Sequence, residues 1–308
     1  MACEELHNCR KHLRGVGLRP HHYEEWINNP PHSIRSLEVI TENYLGHKGG
    51  PALYYLERIT EPYDLLLHGV NLNIGGAEEC EPRYLKELKK LIKRLNPMIV
   101  SDHLSFSALE GRHSHSLLPL PRTEETVKFL STKIAHVQNE LGRSLALENI
   151  SRYVTYEQDE LSEIEFTNAV LNESGCQLLL DVNNLYVTCI NEGLNPVKEL
   201  LSLEKNRVVQ YHIAGHQNCE HYLYDTHSGS IHPEVWNLLS LAIRRHGEHP
   251  IILEQDDHEA LATVIQKWNE DPTHVKDTEE FASDSKNFPS SHPASTVSST
   301  ESFFDSFS

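Results

Sequence analysis

A single (β/α)8 barrel, a TIM-like fold of the α/β class, is the architecture that the sequence predicts, and three observations carry the prediction. Eight short runs of mostly apolar residues are spaced along the chain, as the strands of a buried parallel sheet would be. Amphipathic helical patterns lie between these runs, so that strands and helices alternate. The 308 residues, of which 38% are hydrophobic, are enough for one barrel domain of this kind.

Several of the predicted strands are solidly apolar rather than alternating, which is typical of parallel strands that are covered on both faces. In chain order the eight are GVGLR (Gly15 to Arg19), SLEVI (Ser36 to Ile40), YDLLLHG (Tyr63 to Gly69), MIVSDH (Met98 to His103), SLALEN (Ser144 to Asn149), QLLLDVN (Gln177 to Asn183), VVQYHIA (Val208 to Ala214) and PIILEQ (Pro250 to Gln255). A doubly wound open sheet is the structural alternative, but no GxGxxG motif follows the first strand.

The predicted helices have an apolar stripe and recognisable ends. PRYLKELKKLIKRLN opens with Pro82, which suits the first turn of a helix. In TEETVKFLSTKIAHVQNELG, Thr123 is the predicted N-cap and Gly142 follows the last turn. LSEIEFTNAVLNESG contains a capping box formed by Ser162 and Glu165. These ends separate the helices from the strands and support the alternation.

Composition sets the domain organisation and excludes two kinds of partner. The barrel domain is predicted over 1–272, and the Ser- and acid-rich tail, 273–308, is predicted to be disordered because it has no hydrophobic periodicity. A net charge of −18 argues against a nucleic-acid partner, since phosphate-backbone binding needs a basic surface. No apolar run is long enough for a membrane span, and no signal peptide is predicted. Six cysteines without a CxxC pair indicate a reduced, cytoplasmic protein.

Ionisable and amide side chains stand at or just beyond the carboxyl ends of the last six predicted strands. Because the carboxyl ends of barrel strands face the mouth, we expect these side chains to meet there. They are His68, Asp102, His103, Glu148, Asn149, Asp181, Asn183, Asn184, His212, His216, Asp225, His227, Glu254, Asp256 and Asp257. So much negative charge on one rim is unfavourable unless cations neutralise it. The pattern therefore predicts a multinuclear metal site.

The predicted ligands are imidazoles, carboxylates and an amide, with no cysteine at a strand end. This mixture suits iron, manganese or zinc. Glu148, on a middle strand, is a reasonable bridge between two cations, which lie within about 4 Å of each other in two-metal sites. A single strand-end histidine is more often a hydrogen-bonded core residue than a ligand. The metal hypothesis therefore depends on the convergence of many ligand types on one face.

Taken together, the motifs resemble one family. LHGVNLNIGG, VSDHLSFS, LENIS, LLLDVNNLYV, YHIAGH, DTHSG and ILEQDD follow in this order, and GVGLRPHHYEEW and LPLPRTEET fit the same pattern. From Gly15 to Asp257 the chain resembles the methanobactin-biosynthesis type of multinuclear non-haem iron oxygenase. The resemblance implies two or three irons, mixed-valent Fe(II)/Fe(III), with O2 as co-substrate. It also implies a cysteine-bearing, ribosomally made precursor peptide as substrate, and a partner protein that recruits the leader peptide in a heterodimer.

The resemblance also implies roles for ten residues. A two-iron core, which is also the catalytic set, would use His68, His103, Glu148, Asp181, His212 and Glu254. A third site would use Asn184, His216, Asp225 and His227. The sequence departs from the expected pattern at His115 and Ser116, at Asn71 and Asn73, and at Gln255. None of these is an implied ligand, so the departures concern the substrate rather than the metal site.

Residues near the first two strands form a second tier of candidates. Glu38, Glu42 and Asn43 are expected either to line the mouth or to form a solvated strand-end cluster. His21 and His22 are expected at the rim, where one of them would be within reach of a substrate carboxylate.

Two other function classes fit part of the pattern. A divalent-metal isomerase or hydrolase on a similar barrel, such as a sugar isomerase or an abasic-site endonuclease, also gathers His, Asp and Glu at strand ends. The net charge of −18 counts against the endonuclease, and the absence of an O2 requirement would identify an isomerase. A non-catalytic metal-binding scaffold is the other class, although the number of candidate ligands favours chemistry over storage.

Overall fold

Eight parallel strands close into a barrel, which confirms the predicted fold. The computed structural model describes residues 11–109, 112–256, 258–269 and 295–297. Predictions that concern Cys3, Cys9 and Asp257, and the tail apart from Ser295–Val297, lie outside these residues. Within the described part of the chain, no helix is long and apolar enough to cross a membrane.

The eight barrel strands lie in the stretches that the sequence predicts, with ends within two residues of the predicted ones. In chain order the strands are β1 (Arg14–Gly17), β2 (Ser36–Ile40), β3 (Asp64–His68), β4 (Ile99–His103), β5 (Phe106–Leu109), β6 (Arg112–Leu118), β7 (Ala146–Glu148), β8 (Val154–Tyr156), β9 (Gln177–Asp181), β10 (Val208–Ile213), β11 (His216–Asn218), β12 (Leu223–Asp225), β13 (Ile251–Leu253) and β14 (Ser295–Val297). The barrel runs β1, β2, β3, β4, β7, β9, β10, β13 and returns to β1.

Helices between the strands cover the outside of the barrel. They are α1 (Tyr23–Asn28), α2 (Pro51–Thr60), α3 (Pro82–Leu95), α4 (Glu124–Leu141), α5 (Glu163–Ser174), α6 (Val182–Glu192), α7 (Pro196–Ser202), α8 (Pro233–His246) and α9 (Leu261–Gln266). The predicted caps are confirmed: Thr123 accepts a hydrogen bond from the backbone N–H of Thr126, and Ser162 and Glu165 form the capping box. Gly142 ends α4 with a φ of 70°, a left-handed conformation that glycine adopts without strain.

The barrel interior has an apolar layer below a polar one. Leu66, Ile99, Ala146, Leu179 and Ile252 form a separate buried apolar cluster, one residue from each of five strands. Because side chains alternate along a strand, the residue two positions further on points to the same side. In four of these strands that residue is a histidine, aspartate or glutamate, namely His68, Glu148, Asp181 and Glu254. In this way strand periodicity stacks the candidate ligands on an apolar floor.

The absence of a side chain at Gly15 allows close packing around β1. A Cβ atom on Gly15 would lie 2.5 Å from Cδ1 of Ile252 and 2.9 Å from the carbonyl oxygen of Ser36. Both distances are too short for real contacts, so only glycine allows β1 to approach its two neighbours this closely.

Three small sheets outside the barrel were not predicted. β5 and β6 form an antiparallel hairpin, and β11 and β12 form another, in which His216 pairs with Asp225. The third sheet is parallel and pairs Ser295–Val297 with Val154–Tyr156. The two hairpins follow β4 and β10 directly, so they lie at the end of the barrel where the strands terminate.

Candidate metal centre

Six residues at one end of the barrel form what we call the metal centre. His68 ends β3, His103 ends β4, Glu148 ends β7, Asp181 ends β9, His212 precedes the last residue of β10, and Glu254 follows β13. Register places His103 opposite Glu148 and His212 opposite Asp181 on neighbouring strands. The first five expose between 0 and 8% of their surface, and the side chain of Glu254 exposes 14%. Such burial of charged groups requires compensation.

The first group of potential ligand atoms contains His68, His103 and Glu148. The Nε2 atoms of the two histidines lie 3.3 Å apart. Glu148 Oε2 lies 3.1 Å from Nε2 of His68 and 3.2 Å from Nε2 of His103. Two imidazole nitrogens and a carboxylate oxygen therefore converge on one point.

Hydrogen bonds on the far side of each ring orient these two histidines. Nδ1 of His103 lies 3.1 Å from the carbonyl oxygen of Gly69, which can only accept, so Nδ1 carries the proton. Nδ1 of His68 lies 2.8 Å from Oγ of Ser101, and that hydroxyl donates its own proton to the carbonyl of Leu67. In each neutral ring the lone pair is then on Nε2, which is the atom that faces Glu148.

The second group contains Glu148, Asp181, His212 and Glu254. Nδ1 of His212 lies 3.3 Å from Glu148 Oε1 and 3.3 Å from Glu254 Oε2. Asp181 caps α6, because its Oδ1 accepts the backbone N–H of Asn184 at 2.6 Å, and this leaves Oδ2 for the group. Glu148 belongs to both groups, so its carboxylate is placed to bridge two cations.

Several buried atoms of the metal centre form no hydrogen bond among the described residues, although some have an oppositely charged group within 3.1–3.3 Å. They are Oε2 of Glu148, Oδ2 of Asp181, Nδ1 of His212 and Oε2 of Glu254. A buried polar atom without a partner is costly, and native structures contain few of them. Oε2 of Glu148 faces the two histidines of the first group, and the other three atoms come from residues of the second group, so cations held in the two groups would satisfy all four.

The other face of His212 meets a carboxylate that the sequence placed only in the second tier. Nε2 of His212 lies 3.1 Å from Oε2 of Glu38, and Gln210 donates to the same oxygen at 2.5 Å. Glu38 is 5% exposed and Gln210 is fully buried. A carboxylate behind a histidine fixes its tautomer and leaves the opposite nitrogen, here Nδ1, free to bind a metal.

Neighbouring charges shift the pKa values of these groups strongly. Burial lowers the pKa of His68, but Glu38 and Glu148 outweigh it and raise that pKa to about 9. Burial raises the pKa of Glu254, yet the imidazole of His212 helps to hold it at about 2. Positive charge on His68 and His212 therefore offsets part of the carboxylate charge.

The pKa of Asp181 is shifted in the opposite direction to that of Glu254. Its pKa is well above the usual range because the group is buried and because Glu148 and Glu254 lie close to it. Ionised Asp181 would thus add negative charge that the histidines do not compensate. Metal cations compete with protons for such atoms, so a charge set of this kind fits metal binding.

A third set of residues lies beside the metal centre on the β11–β12 hairpin and the loop after it. Asn183 donates to Oδ1 of Asp225 at 3.0 Å, and its Oδ1 lies 2.7 Å from Nδ1 of His216. Nε2 of His227 lies 3.1 Å from Oδ2 of Asp225 and 3.5 Å from Oε2 of Glu254. His227 has a φ of 48°, an uncommon backbone conformation that is often found at functional sites.

The described side-chain hydrogen bonds of Asn184 are to residues outside this third set. Its Oδ1 accepts from Oγ of Ser151 at 2.7 Å, and its Nδ2 donates to the carbonyl of Asn149 at 3.1 Å. The neighbouring amide, Asn183, is the one that contacts both His216 and Asp225. The assignment of Asn184 to a third site stays a prediction, and the geometry adds Asn183 as a residue that sequence reasoning did not assign to it.

A cavity of about 650 Å³ opens above the metal centre, which is within the usual range for ligand pockets. His68, His103 and Glu254 belong to its lining, together with His113 and His115 from the β5–β6 hairpin. The cavity therefore connects the buried ligand atoms to the solvent at the mouth of the barrel.

Comparison with known proteins identifies the family. Residues 13–270 match the family described as RiPP precursor modification enzyme MbnB/TglH/ChrH, where a RiPP is a ribosomally synthesised and modified peptide. The chain belongs to this family. The match confirms the resemblance seen in the motifs, and the family name states that its members are enzymes that modify a precursor peptide.

Relatives within the MbnB/TglH/ChrH family are similar over most of their length. A UPF0276 protein of Acaryochloris marina is 40% identical over 242 residues, which cover 79% of this chain and 87% of that one. A UPF0276 protein of Caulobacter vibrioides is 40% identical over 243 residues, covering 79% and 86%.

Solved structures share the barrel at low identity. An L-ribulose 3-epimerase has a TM-score of 0.53 at 15% identity, covering 89% of this chain and 92% of that one. A 3-keto-D-glucoside 4-epimerase from E. coli has a TM-score of 0.54 at 14% identity, covering 84% and 97%. At such identities the likeness establishes the fold alone.

Two of the residues at which the sequence was expected to depart from the family pattern have structural roles in this chain. Asn73, with a φ of 51°, accepts at Oδ1 from the backbone N–H of Ser107 and of Ala108, which ties its loop to the β5–β6 hairpin. Gln255 is buried, and its Oε1 accepts from Nζ of Lys267 at 2.5 Å. His115, Ser116 and Asn71, by contrast, line the cavity.

Two of the other second-tier candidates, Glu42 and His22, form hydrogen bonds outside the metal centre. Glu42 accepts from the backbone N–H of Val70 and of Asn71 and from the hydroxyl of Tyr84, so it organises the loop after β3. His22 is buried, and its Nε2 lies 2.8 Å from the carbonyl of Glu259. Neither belongs to the described lining of the cavity.

Gln210 and Ser101 are polar residues of the site that sequence reasoning missed. Both lie two positions before a metal-centre histidine on the same strand. Period-two alternation is the signal that would have found them, because it places both side chains inside the barrel.

Proposed function

We propose that the chain is a non-haem multinuclear iron oxygenase that modifies cysteine residues of a ribosomally synthesised precursor peptide, with O2 as co-substrate. The observation that supports it best is the shared carboxylate of Glu148, which belongs to two adjacent groups of buried ligand atoms. Family membership supports the peptide substrate, since the family name specifies precursor modification. Two ligand groups joined by one carboxylate are the arrangement expected of a two-metal site.

The donor set fits iron. Each group combines imidazole nitrogen with carboxylate oxygen, a mixture that suits iron, manganese or zinc, and contains no thiolate. The family resemblance favours iron among these. In our assignment His68, His103 and Glu148 hold one ion, and Asp181, His212 and Glu254, with Glu148 shared, hold the other.

The chain's own residues would position the reaction. Bound iron would supply a site for the substrate thiolate and the redox chemistry that O2 requires. Ser101 and the carbonyl of Gly69 keep the lone pairs of His68 and His103 directed at Glu148, and Glu38 does the same for Nδ1 of His212. The cavity above them would hold the cysteine and its neighbours in a fixed orientation, which is a major part of catalysis when two reactants must meet.

We further assign Asn184, His216, Asp225 and His227 to a third metal site beside the first two. The contact between His227 and Asp225, and that between His227 and Glu254, support a site next to the core. Asn183, which contacts His216 and Asp225, would orient both ligands.

A partner protein that recruits the leader peptide, in a heterodimer, completes the proposal. We place the protein in the cytoplasm, which the buried free thiols of Cys80, Cys176 and Cys189 support because reducing compartments preserve thiols.

Metal analysis of two variants tests the proposal. Protein is purified without oxygen, iron is measured per chain, and Mössbauer spectroscopy detects a coupled iron pair. We expect His103→Ala to lose the first ion and Asp181→Asn the second, and both to lose peptide modification. Asp181→Asn keeps an amide oxygen that can still cap α6, so its folding should be preserved.

His136→Ala is the matched control, because His136 is exposed on α4 and outside both ligand groups. It should keep the wild-type iron content and spectrum. Stoichiometric zinc or manganese in the wild type, with no iron taken up on reconstitution, would instead favour an isomerase or hydrolase. Full iron in both variants would refute the ligand assignment.

A further inference from the structure

Arg19 has a special position in the cavity above the metal centre. Among the described residues that line this cavity, it is the one with a permanent positive charge. Glu38, Glu254 and Asp256 contribute carboxylates to the same lining. A ligand with a negative group would therefore find one permanent cation in the described wall, at Arg19, and carboxylates at three other places.

The backbone of β1 makes room for this guanidinium. Arg19 lies just beyond the end of β1, and its side chain folds back over Gly17. A Cβ atom on Gly17 would lie 3.3 Å from Cζ of Arg19 and 3.3 Å from its Nη1. The side chain of Arg19 is 23% exposed, so the charge is held close against the wall instead of extending into solvent.

The present partner of Arg19 is one that a ligand can replace. Nη2 donates to Oδ1 of Asp256 at 3.2 Å, and the side chain of Asp256 is 60% exposed. Exposed ion pairs contribute only about 0–1 kcal/mol, and a guanidinium has several further donors for a second carboxylate. Oδ2 of Asp256 also lies 3.3 Å from Nδ1 of His227, so Asp256 keeps a partner if Arg19 turns to a ligand.

We propose that Arg19 binds a carboxylate of the peptide substrate while the cysteine sulfur of the same peptide faces the metal centre. The inference rests on the proposed function and adds a specificity determinant to it. The carboxylate is either the C-terminal one or the side chain of an acidic residue beside the cysteine. Bidentate pairing with a guanidinium would fix the direction in which the peptide enters, because Arg19 is the one permanent cation in the described lining and lies apart from the metal-centre residues.

Binding of short thiol peptides tests the inference. Three probes are titrated calorimetrically, without oxygen, into the iron-reconstituted full chain: N-acetyl-Gly-Cys with a free carboxylate, its C-terminal amide, and N-acetyl-Cys-Asp amide. Each is also titrated into Arg19→Gln and Arg19→Lys. The control is Arg35→Gln. Arg35 lies just before β2 and forms an exposed ion pair with Asp64, the first residue of β3, so the pair lies at the end of the barrel opposite the metal centre.

We expect the wild type to bind at least one of the two carboxylate probes about 10- to 100-fold more tightly than the N-acetyl-Gly-Cys amide, the range for a hydrogen bond to a charged group. Arg19→Gln should abolish that preference, Arg19→Lys should keep part of it, and Arg35→Gln should leave it unchanged. The probe that shows the preference identifies the source of the carboxylate.

Two negative results have different meanings. If all three probes bind the wild type equally, or Arg19→Gln keeps the preference, the role of Arg19 is overturned while thiol binding at the metal centre stands. If no probe binds the iron-loaded wild type and the protein is folded, thiol binding at the metal centre, and with it the proposed function, is contradicted.

Discussion

Two clusters of buried carboxylates lie in this barrel, and they are neutralised in different ways. In the first, which we call the arginine cluster, Arg122 and Arg152 each lie 3.0–3.6 Å from all three acids, Asp159, Glu163 and Glu192. In the metal centre, the cationic partner in each of these ion pairs is a histidine. Three carboxylates, those of Glu148, Asp181 and Glu254, belong to one group of potential ligands there. The chain supplies permanent cations to one cluster and titratable ones to the other.

The difference separates a structural role from a functional one. A guanidinium stays charged at all relevant pH values, so the arginine cluster is complete whenever the chain is folded. Imidazoles lose their protons, and their nitrogens then become metal ligands. The atoms without partners in the metal centre, such as Oδ2 of Asp181, mark the place where an exchangeable cation fits.

The largest expected effect comes from breaking the arginine cluster. Arg122→Met removes one of two cations and leaves three acids with the other, and removal of one partner from a buried pair costs about 3–5 kcal/mol. The free energy of unfolding of the metal-free protein, measured by urea denaturation, should fall by this amount. Iron bound per folded chain should remain at the wild-type level, because Arg122 contacts no residue of the metal centre in the described ion pairs.

Arg35→Met is the control for this variant, since Arg35 is 55% exposed in its pair with Asp64. This substitution should lower the free energy of unfolding by about 1 kcal/mol or less. Equal losses in the two variants would mean that the arginine cluster is no more important for stability than a surface pair.

The sequence allowed the barrel and the core of the metal centre to be predicted for one physical reason. Apolar runs identify buried parallel strands, and the topology of a barrel brings their carboxyl ends together whatever the loops do. His68, His103 and Glu148 therefore needed only the strand positions to be placed near one another.

The hairpins were missed because their strands lack that signal. RHSHSLL in β6 is exposed over six of its seven residues, so it has no apolar periodicity to detect. β11 and β12 have three residues each. The orientation of Asn183 and Asn184 was equally hidden, since adjacent residues at the start of α6 point about 100° apart and composition does not distinguish two identical amides.

A smaller effect is expected at the residue behind the metal centre. Glu38→Gln keeps the size of the side chain but removes the charge that orients His212, and loss of such a partner lowers metal affinity about 10- to 100-fold. Competition with a chromogenic chelator measures the dissociation constant. Unlike Asp181→Asn, the variant should still bind metal at saturating concentrations.

Glu42→Gln provides the comparison, because Glu42 lies just after β2 but contacts Val70, Asn71 and Tyr84 instead of a histidine. Its metal affinity should match the wild type within a factor of two or so. An affinity of Glu38→Gln that is indistinguishable from that of Glu42→Gln would rule out a positioning role for Glu38.

The smallest effect concerns a buried imidazole whose pKa is governed by burial and by nearby basic side chains. His246 ends α8 and is 7% exposed, and burial, with Arg245 and His249 nearby, lowers its pKa to about 4. In the metal centre the opposite shift raises the pKa of His68 to about 9, because carboxylates outweigh burial. The pKa of a buried histidine is thus raised where neighbouring carboxylates outweigh burial and lowered where burial dominates.

The pH dependence of stability measures this difference. The unfolded pKa of His246 is 6.5 and the folded pKa is about 4, so its contribution to stability is complete above pH 6.5 and is lost as the pH falls toward 4. When the pH is lowered from 7.5 to 5.5, the free energy of unfolding of the wild type, measured in urea, should fall by about 1 kcal/mol more than that of His246→Gln. Titration of the distant metal centre is common to both proteins and cancels in the difference. A difference that does not change with pH would mean that His246 binds its proton in the folded state as readily as in the unfolded chain.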